Sequence, residues 1–436
     1  MTDRDTAFQM AASNIRFGPG TTAEVGMDLA DMSIGKAAIL IDPALVDLPT
    51  GRTVFTSLDD ASVAYDVYEG ISVEPTDRSF RDATDFVTRG GYDAIVAVGG
   101  GSTIDTAKAA NLYATHPAAF LDYVNAPIGK GRPVPGPLKP LIAIPTTAGT
   151  GSETTGVAIF DLVDMRAKTG IAHRYLKPTL GIVDADNTRS MPSAVAASTG
   201  LDVLSHALES YTAIPFNHRP RPERPIQRPA YQGTNPISDM WSIRALELMA
   251  EHLPRAVADT SDDDARQNMM LAAAIAGIGF GNAGVHLPHG MSYPVAGMVR
   301  EFQPPGYDVD HPMVPHGISV ILNTAAVVRF TADSNPARHL EAARALGADI
   351  SDADPTDGTQ AGRILADRVL HFMQVLGMPN GLAAVGYTEA DIPALVEGTL
   401  PQHRVTKLSP REASQADLQS LFEDSMQAWS APAGTT

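Results

Sequence analysis

AVGGGSTIDTAK, residues 97–108, joins an apolar, strand-like run to a helical pattern through three consecutive glycines. Glycines at such a turn let the backbone approach a phosphate group closely, since no Cβ intervenes. Free N–H groups and the helix dipole at the start of the helix also favour an anion. Ser102 and Asp105 have the spacing of a capping box, which predicts that they fix the start of the helix. The GxGxxG fingerprint is absent and glycine-rich turns also occur without ligands, so the segment leaves dinucleotide binding as a hypothesis.

The sequence on either side divides into two kinds of pattern. Four short apolar runs are typical of buried parallel strands: KAAILID (36–42), DAIVAVGG (93–100), PLIAIPT (140–146) and LGIVDAD (180–186). Their alternation with helical stretches predicts a doubly wound, Rossmann-like α/β domain over residues 1–191, with a hairpin at 156–172. Over residues 192–436 long helical patterns replace the strands, which predicts an all-helical second domain.

Composition excludes several classes of protein. The 436-residue chain is 44% hydrophobic and carries a formal net charge of −18, which disfavours nucleic acid and anionic membrane surfaces as partners. It has no cysteine, so disulfides, cysteine-ligated zinc and iron–sulfur clusters are excluded. The N-terminal residues lack the pattern of a secretory signal, and no apolar run approaches the length of a membrane span. A cytoplasmic protein is the expectation.

A candidate metal site comes from the second half of the chain. Asp202 and His206 lie four residues apart in the helical stretch LDVLSHALES, which puts them on one helical face. His289 and His316 each stand between a proline and a glycine, in segments typical of helix starts. One carboxylate and three imidazoles suit a divalent transition metal, which can act as a Lewis acid on a carbonyl or alkoxide oxygen. Ordinary helix residues are the alternative for the first pair, and His286 is a rival ligand for which we expect a supporting role.

Two further features of the first half suit a dinucleotide. PTTAGTGSETT (145–155) follows a predicted strand and carries six hydroxyl side chains around two glycines, which suits a ribose or pyrophosphate but also a solvated loop. Asp42 ends the strand 36–42, where an acid can bind two ribose hydroxyls and repel a 2′-phosphate, or can simply form a turn before Pro43. A nicotinamide beside a Lewis-acid metal would give hydride chemistry in the cleft between the two predicted domains.

Together these motifs resemble the iron-containing (group III) alcohol dehydrogenase family. Residues 99–108 match the family's GGGS-x-x-D-x-A-K turn, and residues 145–153 match its PTTxGTGSE segment. The resemblance implies an α/β domain that binds NAD(H), with Asp42 at the adenine ribose. It implies that the metal, and through it catalysis, depends on Asp202, His206, His289 and His316. It implies that the dinucleotide contacts are Gly99, Gly100, Ser102, Thr146, Thr147, Ser152 and Lys168.

Within the family the sequence is most similar to the hydroxyacid-oxoacid transhydrogenase branch, over about residues 14–426. That branch moves hydride from 4-hydroxybutyrate to 2-oxoglutarate, which implies a hydroxy acid and an oxoacid as substrates, NAD that is recycled in place, and a homodimer. The ligand set suits Fe(II), Zn or Mn, and the family favours Fe(II). The alternatives are an NAD-dependent alcohol dehydrogenase of small primary alcohols and a lyase like dehydroquinate synthase.

Two residues are candidates for substrate binding. Many relatives carry a histidine four residues after the position of His289, and here that position is Tyr293, which can bind substrate or simply pack. A carboxylate substrate of an acidic protein needs a local cation, and arginine forks suit that task. Four arginines lie in the proline-rich loop 218–233, and Arg228 is the candidate, with neutralisation of nearby acids as the alternative.

Overall fold

The computed structural model describes residues 4–165, 167–307, 309 and 311–430. The strands are β1 (Asn14–Phe17), β2 (Lys36–Ile41), β3 (Ala64–Tyr68), β4 (Ala94–Gly99), β5 (Leu141–Pro145), β6 (Val157–Leu162), β7 (Ala167–Ala172) and β8 (Leu180–Val183). The helices of the first half are α1 (Val25–Asp31), α2 (Pro49–Asp60), α3 (Asp77–Gly90), α4 (Gly101–Thr115) and α5 (Phe120–Tyr123). Those of the second half are α6 (Ser193–Thr212), α7 (Pro236–Ala258), α8 (Asp263–Ala283), α9 (Leu287–Gly297), α10 (His316–Thr331), α11 (Pro336–Ala345), α12 (Gly358–Val375), α13 (Ile392–Thr399), α14 (His403–Thr406) and α15 (Gln415–Ser425).

Six of the strands form one parallel sheet in the order β1-β8-β5-β4-β2-β3. The remaining two, β6 and β7, pair as an antiparallel hairpin. All four strand-like runs of the sequence become strands of the parallel sheet, and the predicted hairpin is present. The prediction of a doubly wound α/β fold followed by helices is therefore confirmed.

Alternating side chains of β2 explain why helices cover both faces of the sheet. Ala37, Ile39 and Ile41 pack in one core with residues of α1 and α2. Ala38 and Leu40 pack in a second core with residues of α3 and α4. Because neighbouring residues of a strand point to opposite faces, one apolar run can build two cores.

The strand order reverses between β2 and β4, and this places the two candidate dinucleotide segments together. The chain passes from β2 outward to β3, then returns to β4 on the other side of β2. Ligands of open α/β sheets bind in the crevice at the carboxyl ends of such strands. Asp42 follows β2 and the glycine turn at 99–101 follows β4, so both lie at this crevice.

The second half is helical, and its core is built around α6, which is buried along most of its length. The boundary predicted between residues 191 and 192 remains a prediction. The N-terminal segment crosses to the helical half: the backbone N–H groups of Gln9 and Ala11 donate to Gln232 and Asn282. Among the described residues no single helix has the length and apolarity of a membrane span. Helices α8 and α9 reach that length and apolarity only when they are taken together, and the chain bends by 104° between them.

Candidate metal and dinucleotide site

Three helices bring the predicted metal ligands together. Asp202 and His206 lie on α6, His289 on α9, and His316 is the first residue of α10. One ligand atom from each of these four side chains, which we call the metal cluster, lies within 4.8 Å of the others. The distances from Asp202 Oδ1 are 3.7 Å to His206 Nε2, 3.8 Å to His289 Nε2 and 3.8 Å to His316 Nε2. A single ion can therefore reach all four side chains.

The unpartnered atoms of the metal cluster fit a divalent cation. Asp202 Oδ1 and His289 Nε2 are buried, and neither has a hydrogen-bond partner among the described residues. Buried polar atoms are normally satisfied, so two such atoms facing each other point to a missing ligand. Nitrogen and carboxylate oxygen donors are also the ligand chemistry that iron and zinc accept.

Burial sets the protonation of the cluster. It lowers the pKa of His206 well below its usual value. Burial, followed by the positive charge of Arg404, lowers the pKa of His289 to about 3. Both imidazoles are therefore neutral at physiological pH, which is the form that binds a metal.

Glu209 orients His289 and was not identified from the sequence. Its Oε1 accepts a hydrogen bond from His289 Nδ1 at 2.6 Å, and its Oε2 accepts one from the backbone N–H of His286 at 2.6 Å. A carboxylate on Nδ1 fixes the tautomer, so Nε2 presents its lone pair to the cluster. Glu209 stands seven residues after Asp202 on α6, and that helical spacing was the available signal. His286 itself contacts Thr212 Oγ1 through Nε2 at 3.0 Å, consistent with a supporting role.

At the glycine turn, α4 begins differently from the prediction. Gly100 is the N-cap and no side chain caps the helix, so the predicted capping box of Ser102 and Asp105 is wrong. Ser102 Oγ accepts a hydrogen bond from the backbone N–H of Glu74 instead. Asp105 Oδ1 accepts one from Ser152 Oγ, so its carboxylate is also bound by a residue distant in sequence. The N–H groups at the start of α4 therefore have no competing side-chain acceptor, which suits an anion.

The two predicted turns are in contact with each other. A Cβ added at Gly99 would lie 2.2 Å from Thr103 Oγ1, which explains the need for glycine there. A Cβ added at Gly100 would lie 3.3 Å from Thr147 Oγ1, and the backbone N–H of Thr146 donates to the carbonyl of Gly99. Asp42 Oδ1 accepts from the backbone N–H of Ala44 and caps a short turn.

Beneath the turns lies a buried group that we call the lysine network, formed by Lys108, Asp105 and Ser152. Lys108 Nζ donates to Ser152 Oγ at 2.6 Å, to Thr155 Oγ1 at 3.2 Å and to the carbonyl of Val157 at 2.8 Å. Ser152 Oγ in turn donates to Asp105 Oδ1 at 2.5 Å. The side chain of Ser152, predicted to contact the dinucleotide, is thus engaged inside the protein.

Lys168, another predicted dinucleotide contact, is also held by internal partners. Its Nζ is 2.5 Å from Glu74 Oε2 and 3.3 Å from Asp161 Oδ2. These two acids raise the pKa of Lys168 despite its burial, so the group is charged. Glu74 also interacts electrostatically with His316, so it links the β6–β7 hairpin to the metal cluster.

The two candidate substrate residues have different surroundings. Arg228 donates to both oxygens of Asp5 at 2.9 and 3.0 Å, so its guanidinium group is engaged by the N-terminal segment. Tyr293 follows His289 by one helical turn on α9 and accepts a hydrogen bond from Arg404 Nη2 at 2.8 Å. Like Glu209, Arg404 was not identified from the sequence.

Comparison with known proteins agrees with this site. Residues 12–185 match the family model described as iron-containing alcohol dehydrogenase, and residues 230–426 match that of the C-terminal part of the Fe-containing alcohol dehydrogenase family. A hydroxyacid-oxoacid transhydrogenase of Rattus norvegicus is 58% identical over 97% of this chain and 90% of its own length. The Homo sapiens protein of the same name is 57% identical over the same shares.

Solved structures share the fold. A 1,3-propanediol oxidoreductase aligns with a TM-score of 0.83 and 25% identity, covering 96% of this chain and 100% of its own. A sulfoacetaldehyde reductase of Bifidobacterium kashiwanohense, solved with NAD+, aligns with a TM-score of 0.77 and 26% identity, covering 96% and 99%.

The expectation of a cytoplasmic location is contradicted by these relatives. The transhydrogenases of Rattus norvegicus and Homo sapiens are both named as mitochondrial. The expectation rested on a missing secretory signal and a missing membrane span, and neither feature distinguishes the cytoplasm from an organelle interior.

Two family models together cover most of the chain, and the relatives align over nearly all of it. The chain belongs to the iron-containing alcohol dehydrogenase family and is an oxidoreductase that acts on CH–OH groups.

Proposed function

We propose that this protein is a hydroxyacid-oxoacid transhydrogenase that uses NAD(H) and a divalent metal. The observation that carries the proposal is the metal cluster, with its unpartnered Asp202 and His289 atoms. The relatives that share 57–58% of its residues supply the substrate class. A short hydroxy acid such as 4-hydroxybutyrate would give hydride, and a 2-oxoacid such as 2-oxoglutarate would take it.

The residues of the chain create the conditions for this chemistry. When bound, the metal would supply a Lewis acid for the substrate oxygen and the nicotinamide a hydride carrier. Asp202, His206, His289 and His316 would hold the metal. His316 is the most exposed of the four, with 25% of its side chain accessible, so substrate would approach from its side. The other three side chains are nearly inaccessible and keep water from the opposite side.

For the dinucleotide we propose that backbone N–H groups bind the pyrophosphate and that side chains bind the ribose or support the turns. The N-terminus of α4 at Gly99 and Gly100 would bind the pyrophosphate, and Thr146 and Thr147 would line the same crevice. Asp42 would bind the adenine ribose. Ser102, Ser152 and Lys168 would support these turns through their internal partners.

Fe(II) is the metal that we propose, since the family is named for iron, although zinc accepts the same ligand set. A homodimer without nucleic-acid or membrane partners remains a prediction from the resemblance and the acidic composition. Sedimentation of the purified protein measures whether it is a dimer, and metal analysis distinguishes iron from zinc.

The function is tested by mixing 4-hydroxybutyrate and 2-oxoglutarate with purified, metal-loaded protein, with and without added NAD. We expect succinate semialdehyde and 2-hydroxyglutarate to form in equal amounts without added NAD. Turnover that requires NAD in stoichiometric amounts would instead indicate an NAD-dependent alcohol dehydrogenase. A control with 4-hydroxybutyrate alone should stop after one turnover.

A further inference from the structure

A pocket lies between the two halves, and the charge of Arg404, which lines it, acts on His289 of the metal cluster. Residues 125–128 and β7 form the side belonging to the first half, and α9 and the start of α14 form the other side. Tyr293 lines the pocket and lies four residues after His289 on α9, so both side chains share one helical face. One face of α9 therefore contributes a residue to the cluster and a residue to the pocket.

Two buried donors of this pocket have no hydrogen-bond partner among the residues that the structure describes. Arg404 Nη1 and Asn125 Nδ2 are both buried nitrogen atoms without a hydrogen bond, and both residues line the pocket. They come from opposite halves of the molecule, so one local packing defect does not explain both. Two unsatisfied N–H donors at one pocket indicate an acceptor that is missing from it.

Within the described part of the chain, Arg404 has aromatic neighbours and no acidic partner. Its partners are Tyr293, through Nη2, and Tyr231, whose side chain interacts with the guanidinium group and whose ring centroid is 5.0 Å away. No carboxylate is among the described groups that interact with it. Arginine buried without an acid is costly, and an anionic ligand would offset that cost.

We propose that Arg404 and Asn125 bind the substrate carboxylate that is remote from the reacting carbon. The inference rests on the proposed function. In 4-hydroxybutyrate and in 2-oxoglutarate, two methylene groups separate the reacting carbon from a carboxylate. One carboxylate site at a fixed distance from the metal cluster therefore serves both half-reactions. This explains how a single cleft accepts a hydroxy acid and an oxoacid in turn.

The test compares charged and uncharged substrates in the Arg404→Gln variant of the metal-loaded protein. We expect KM to rise by about 10- to 100-fold for both 4-hydroxybutyrate and 2-oxoglutarate, the range for losing a hydrogen bond to a charged group. The KM of butan-1-ol, which has the same chain length and no carboxylate, should change by less than about threefold on the same principle. Arg404→Lys should recover part of the loss for the acids.

Lys407→Gln is the matched control, because it removes a positive charge from an exposed position at the end of the same helix. It should leave the KM of all three compounds unchanged. An equal loss with butan-1-ol would show that Arg404 only supports the structure and would overturn the proposal. A loss for one acid but not for the other would overturn the shared site.

Asn125→Asp provides a second variant that keeps the size of the side chain. The added negative charge should raise the KM of both acids by about tenfold or more and leave butan-1-ol unaffected. An unchanged KM for the acids would overturn the proposal.

Failure of the proposed function is recognised separately, since NAD-linked oxidation of 4-hydroxybutyrate and butan-1-ol can be compared without transhydrogenation. A wild-type protein with no preference for the acid would contradict the carboxylate site itself.

Discussion

The metal cluster and the lysine network are both buried groups of charged and polar side chains, yet they differ in how far the protein satisfies them. In the network, Lys108 has several internal partners, and Asp105 accepts from Ser152 and from a backbone N–H. In the cluster, Asp202 Oδ1 and His289 Nε2 face each other, and no described residue forms a hydrogen bond with either atom. The first arrangement is complete without a ligand, whereas the second needs one.

This difference separates structural from ligand-binding roles at comparable burial. A saturated network stabilises the protein and gains nothing from an added group, because no donor or acceptor is left. An unsaturated cluster costs stability until its ligand arrives, and binding energy then stabilises the fold. Substitutions in the two regions should therefore affect different measurements.

The largest effect is expected at the cluster. His206→Ala removes one of four ligands, so we expect loss of the metal and a fall in kcat of about 1000-fold or more, equivalent to several kcal/mol of transition-state stabilisation. Metal content by mass spectrometry and the unfolding curve of the apo-protein check this. His371→Ala, an exposed histidine on α12, is the control and should keep its metal. Full activity in the His206 variant would refute the ligand set.

An effect on stability is expected at the network. Lys108→Met breaks the buried contact with Asp105, so the free energy of unfolding should fall by ~3 kcal/mol while the metal content per folded molecule is retained. Denaturant unfolding with parallel metal analysis measures both. Lys130→Met, at a lysine whose side chain is 75% exposed, should cost no more than ~1 kcal/mol. If the Lys108 variant folded normally but lost its metal, the two regions would not be separable.

The smallest effect is expected at the edge of the crevice. Asp42 lies at the carboxyl end of β2, where an acid repels a 2′-phosphate. Asp42→Gly should reduce the preference for NAD over NADP by about tenfold, the scale of one charged hydrogen bond. Binding of the two dinucleotides to the variant measures this ratio, and an unchanged ratio would remove Asp42 from the ribose.

Local patterns in the sequence predicted most of the fold and the residues of the metal cluster. The apolar runs predicted the strands because the signal for a buried strand lies in a few consecutive residues of the sequence. Asp202 and His206 could be predicted as two ligands of one metal because both lie on one helix, four residues apart. The capping box at Ser102 failed because Glu74 and Ser152, distant in sequence, compete for the same side chains.

The two arginines considered for binding a substrate carboxylate could not be distinguished from the sequence alone. Arg228 stood out in a cluster of arginines, but its partner Asp5 lies 223 residues earlier, near the start of the chain. Arg404 lies outside that cluster, and it donates a hydrogen bond to Tyr293, 111 residues earlier. Whether an arginine is neutralised depends on tertiary neighbours, which composition does not encode.

A contact between two glycines connects the halves of the molecule. Gly151, in the turn after β5, approaches Gly277 of α8 so closely that a Cβ added at Gly151 would lie 2.7 Å from the Cα of Gly277. A Cβ added at Gly277 would lie 2.9 Å from the Cα of Gly151. Backbone meets backbone at this seam, so no flexible side chain can absorb a change in spacing. Chimeras that exchange one half with that of another family member will therefore need both glycines to keep the two halves in register.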